Sequence, residues 1–126
     1  MPFNLEQFIN AFEMKDAEEL GRFLTEDAFL QDWNSKPLSG KETISKALSD
    51  FFTTVKGIKF KIIRSWNHDD SVIVQGEVTF IRPDDSRLTL PFAEIYYLRE
   101  DKIQKLYSYF DINPLFEADG DLADLQ

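Results

Sequence analysis

Two acidic side chains sit where chemistry could be done. In "LTLPFAEIYYL" (88–98), Leu88, Leu90, Phe92, Tyr96 and Leu98 alternate at strand spacing, and Glu94 falls inside that apolar row. A carboxyl turned inward there has its charged form disfavoured by desolvation. It would stay neutral more readily and could donate a hydrogen bond to a developing oxyanion. The competing reading is a bulge near Pro91, a residue that cannot donate to a ladder, which would turn Glu94 outward. Asp32 lies between Phe29–Leu30 and Trp33, at a strand end beside a turn-rich loop. A carboxylate on a cavity rim could take a proton from carbon and return it to a neighbouring carbon. Its competing reading is an Asx residue that bonds the backbone of Asn34. Facing one ligand, Asp32 and Glu94 would form a base and an acid suited to enolisation or allylic isomerisation.

Little else in the chain offers chemistry. His68 is the only histidine and lies in a polar turn; there is no cysteine. Zinc sites, a Ser-His-Asp triad and disulfides are therefore not expected. No Gly-rich phosphate loop occurs, and "EADGDLADL" (117–125) lacks the alternating ligands and terminal Glu of a calcium loop. No cofactor and no metal is expected. Trp33, Trp66, Tyr96 and Phe110, with Phe8 and Phe12 from the first helix and the hydroxyl of Ser108, are candidates to line an apolar cavity for a flat ligand. For aromatics on strands and loops, plain core packing is the alternative. Arg64 shares strand parity with Phe60, Ile62 and Trp66, so it either partners a buried carboxylate or reaches water at a hairpin end. Asp111, ahead of Asn113-Pro114, reads as holding the exit from the sheet.

These residues need elements to carry them. Asn4 with Gln7 resembles a capping box before the stripe Leu5, Phe8, Ile9 and Phe12. Asp16 with Glu19 opens a second short helix expected to carry Leu20, Phe23 and Leu24. Ser39 with Glu42 is the expected cap of a third helix with Ile44, Ala47, Leu48, Phe51 and Phe52 on one face. After Gly57 the period falls from 3.6 to 2. Turns at "NHDD" (67–70), "RPDDS" (82–86) and "RED" (99–101) then divide four strands into an antiparallel meander. The expected class is α+β, a helical layer on a curved sheet. It forms a single domain over 1–116, with an acidic tail, 117–126, expected to fray.

The 126 residues carry 14 Lys and Arg against 23 Asp and Glu, and the resulting charge of −9 disfavours nucleic acid and anionic membranes as partners. "MPFNLEQF" lacks the regions of a signal peptide and no run is long enough to span a membrane, so a cytoplasmic location is expected. On the sheet face away from the helices, Ile73, Ile81, Ile95, Tyr97, Tyr107 and Tyr109 are more apolar than a solvated face needs. A homodimer through that face is expected. The alternative is that Ile and Tyr simply suit strands.

The element order and two stretches, "EDAFLQDWNSKPLSGKETI" (26–44) and "YYLREDKIQKLYSYFDINPL" (96–115), resemble the nuclear transport factor 2 (NTF2-like) superfamily, in its SnoaL-like and ketosteroid isomerase-like branch. The resemblance implies a cystatin-like cone with an apolar cavity at its wide end. Asp32 matches the proton-shuttling carboxylate of the isomerases, whereas their helix-borne Tyr falls at Phe8. Their second acid falls at Glu94 if the Arg99–Asp101 turn is a three-residue bulged loop, and at Ala93 if the turn differs by one residue. The Asp on the last strand of SnoaL-like cyclases and limonene-type epoxide hydrolases is Ser108 here, and "GEVTF" (76–80) has no counterpart of the hydrolases' Arg-x-Asp. The implied function is binding of a small hydrophobic ligand, with cofactor-free proton transfer on a carbonyl compound. The alternative is a non-catalytic binding or dimeric assembly module.

Overall fold

The amphipathic stripe at the N-terminus forms helix α1 (Leu5–Glu13), and Asn4 caps it by accepting from the Gln7 amide at 3.0 Å. In this computed structural model, which describes residues 2–116, Asp16 does the same for α2 (Ala17–Gly21) through the Glu19 amide. That helix is shorter than expected. It ends at Gly21, and Leu24 already begins strand β1 (Leu24–Asp32). Ser39 is not the cap of α3 (Lys41–Phe52). It is used in the two-residue strand β2 (Leu38–Ser39) opposite Phe29, and Gly40, at φ 95°, makes the entry without a side-chain cap.

The meander is β3 (Gly57–His68), β4 (Ser71–Ile81), β5 (Arg87–Arg99) and β6 (Lys102–Tyr109). With the expected short strand ending at Asp32 (β1) and the two-residue β2, the sheet has six strands and runs β2-β1-β6-β5-β4-β3. β1 joins β6 in parallel, which makes the short N-terminal strand a neighbour of the last one. The architecture is α+β, with three helices on one face of a curved, unclosed sheet, as the NTF2-like resemblance implies. Inward residues of β4 and β5, among them Val74, Val78, Leu88 and Tyr96, are almost wholly buried, in one core with Leu20 and Ile44. Each such apolar side chain contributes roughly 1.5–3 kcal/mol.

Irregularities in the ladders bend the sheet and fix which side chains face in. β3 carries an extra residue at Ile63, between the pairs Ile62–Gly76 and Arg64–Gln75. The turn after β5 is two residues long, Glu100 and Asp101, both at positive φ, and the extra residue lies further on at Gln104. Beyond β6, Asp111 accepts from the Asn113 amide, and the chain enters a 3₁₀ turn, Asn113–Phe116. Arg82, at the end of β4, grips that turn from outside. Its guanidinium donates to the carbonyls of Pro114 (3.1 Å) and Leu115 (3.3 Å) and to Ser86 Oγ. The expected tail, 117–126, and its acidic stretch lie outside the described residues.

Candidate functional site

Between the helices and the concave sheet lies an apolar cavity of about 220 Å³. Phe rings dominate its wall, with Phe8 and Phe12 from α1, Phe51 from α3, and Phe60, Phe80 and Phe92 from the sheet. Phe110 and Phe116 close the end where the chain leaves β6. Among the described residues only three of those lining it are polar: Asp32, Glu94 and Ser108.

Strand register puts those three side by side. Ser108 on β6 is the partner of both Asp32 on β1 and Glu94 on β5, so the three share one cross-strand row and one face. Two strand spacings separate the Cα atoms of Asp32 and Glu94, about 9.5 Å across a flat sheet. Pro91 causes no slip, because β4 and β5 pair without a shift from Ser71–Tyr97 to Ile81–Arg87. Glu94 therefore keeps the parity of Phe92 and Tyr96 and faces the helices.

Both oxygens of Glu94 have hydroxyl partners. Tyr96 donates to Oε1 at 2.6 Å and Ser108 donates to Oε2 at 2.8 Å. Desolvation is the main force on Glu94 and raises its pKa; the nearby Asp32 charge adds to this, and the two hydroxyls oppose it. Asp32 is open on its outer side at the rim, yet the wall behind it removes enough water to raise its carboxyl too. Tyr96 is pushed well above its ordinary range by burial, then by the Glu94 charge, which leaves the phenol a firm donor.

Several expected lining residues lie elsewhere. Trp66 is on the outer face, paired with Ile73, because the extra residue at Ile63 reverses the parity set by Phe60 and Ile62. Arg64 moves with it and rests over the Trp66 ring at 5.7 Å. Trp33 follows the end of β1, where its amide bonds the Ser108 carbonyl at 2.7 Å, and its ring is more than half exposed. Tyr96 is completely buried behind the wall, with the Phe3 and Phe8 rings packed on it, so it meets Glu94 rather than a ligand. A sequence signal for that contact existed, since residues i and i+2 of a strand share a face within reach of long side chains.

The sequence matches the model of the SnoaL-like domain over residues 5–106. No curated protein matches it. Among solved structures it is similar to an LEH-like epoxide hydrolase of M. tuberculosis, at 21% identity and TM-score 0.79, over 96% of this chain and 88% of that one. It is similar also to a protein with a ketosteroid isomerase-like fold from Catenulispora acidiphila in complex with trimethylamine, at 16% identity and TM-score 0.82, over 95% and 94% of the two chains. A third is TerC co-crystallised with polyporic acid, at 17% identity and TM-score 0.74, over 86% and 89%. At these identities the structural likenesses show a shared fold and nothing finer. The match over 5–106 covers most of the chain, and with the cone-shaped α+β architecture it is decisive: the protein belongs to the SnoaL-like domain family.

Proposed function

We propose that the cavity binds a small hydrophobic carbonyl compound and moves a proton on it without a cofactor. Asp32, ionised, takes a proton from the carbon next to the carbonyl. The C–H electrons form the enolate; the Ser108 hydroxyl turns from Glu94 to donate to its oxygen and accepts in turn from the protonated Glu94. Asp32 then returns the proton to the same or a conjugated carbon, so nothing is oxidised and no co-reactant is needed. Glu94 keeps its proton because desolvation first, and the Asp32 charge after it, work against its ionisation. A raised Asp32 is a stronger base than an ordinary aspartate.

The observation that carries this reading is the single row Asp32–Ser108–Glu94 in an otherwise apolar wall. The test is deuterium exchange at the α-carbon of cyclic ketones and enones, followed by NMR. Exchange above the buffer rate is expected, with Asp32→Asn lowering it about 10²–10⁴-fold. A rate equal to buffer, or unchanged in Asp32→Asn, would sink the proposal.

A second reading, a non-catalytic dimeric module, rests on the outer sheet face. Trp66, Ile73, Ile95 and Tyr107 form one continuous row across β3, β4, β5 and β6, flanked by Tyr97 and Tyr109. A second copy of the chain covering that row is compatible with either reading of the cavity.

A further inference from the structure

We propose that the cavity selects its ligand by charge: it accepts uncharged molecules and organic cations and rejects carboxylates, sulfates and phosphates. This rests on the cavity being the ligand site, and it narrows the substrate to a carbonyl compound without an acid group. Among the described residues, the only ionisable side chains in the wall are Asp32 and Glu94, and no Lys, Arg or His lines it. An anion entering would lose its hydration and meet no countercharge. It would also lie beside two groups whose own negative charge is already resisted by desolvation.

Four cations have partners outside the cavity. Arg82 spends its donors on the Pro114 and Leu115 carbonyls and on Ser86. Arg99 pairs with Asp27, Lys41 with Glu26, and Lys15 bonds the carbonyls of Phe52 and Val55. The Phe faces add to the preference, since their quadrupoles attract cations and repel anions. An uncharged carbonyl is served by the Ser108 hydroxyl, and an ammonium group is served by the Asp32 carboxylate and the rings.

Three probes of one shape test this: phenylacetone, 2-phenylethylammonium and phenylacetate, with affinities measured by ligand-observed NMR at pH 8. The ketone or the ammonium ion is expected to bind at least tenfold more tightly than the carboxylate. Asp32→Asn is expected to narrow that gap by at least threefold, and Asp32→Ser is a second variant with the same expected direction. A gap below tenfold while the ketone binds overturns the charge filter and leaves the proton-transfer reading standing. If none of the three binds, both fall. The measurement is repeated in 0.5 M salt, where repulsion by the overall charge of −9 is screened beyond a few ångströms. Persistence of the gap supports selection inside the cavity, and its disappearance overturns it.

Discussion

Glu94 sits between two hydroxyls in a place water scarcely reaches, and this has a cost that depends on pH. Its folded pKa is raised above the unfolded value, so the folded state holds its proton to higher pH than the unfolded chain does. The group is therefore least costly in acid, and stability is lost as pH rises from the unfolded to the folded pKa. Glutamine can keep both contacts, with its carbonyl accepting from Tyr96 and its amide donating to Ser108. Glu94→Gln is thus expected to raise Tm at pH 8 and to leave it nearly unchanged at pH 4. Each unit of raised pKa is worth about 1.4 kcal/mol, roughly 4–6 °C for a chain of this size. Thermal melts at both pH values check it, and equal shifts at both would refute this account. The inward direction of Glu94 was legible from five apolar neighbours of one parity. Its partner Ser108 was not, because that contact depends on which residue of β6 lies opposite, and pairing between strands leaves no mark on either strand alone.

Among the elements, β3 shows how a sequence conceals its own register. Ile62 and Ile63 are both apolar, so alternation passes over the extra residue without a break, and Trp66 reads as inward when it faces out, with Arg64 sharing its parity. The Gln104 irregularity is concealed similarly, since Gln104 and Lys105 are both polar. Helix stripes and the Asn4 and Asp16 caps were readable because they are local in sequence. The Ser39 cap misled because a strand pairing with β1 claimed that residue first. Gly76, opposite Ile62, is the glycine at which the β3 bend demands space. A Cβ there would drive into the Lys61 carbonyl oxygen and press on the Phe92 ring. Gly76→Ala is expected to cost about 1–3 kcal/mol in urea unfolding, the usual penalty of overpacking. A loss under about 0.5 kcal/mol would mean that β3 can relax away from β4 at this point.

For the whole molecule, the outer face of the sheet is the feature to resolve. Trp66, Ile73, Tyr97 and Tyr109 are each at least 40% exposed and lie together, with Tyr97 and Tyr107 in edge-to-face contact at 6.0 Å. Such a patch on a chain of net charge −9 suits a two-fold contact, in which the same apolar strip meets itself. Sedimentation equilibrium is expected to give twice the chain mass of 14.7 kDa at micromolar concentration. Ile73→Lys is expected to give the single-chain mass, and a wild-type monomer at tens of micromolar would rule the contact out. The surplus of apolar residues on this face was legible in the sequence, whereas their merging into one row with Trp66 depended on the bend in β3.

Arg82 fastens the last turn through main-chain oxygens alone, so its hold is indifferent to which side chains the turn carries. Phe116, on that turn, can be exchanged without loosening the fastening, while Arg82 itself cannot. The end of the cavity where Phe116 sits is thus a place where its shape can be retuned by substitution without replacing Asp32, Ser108 or Glu94.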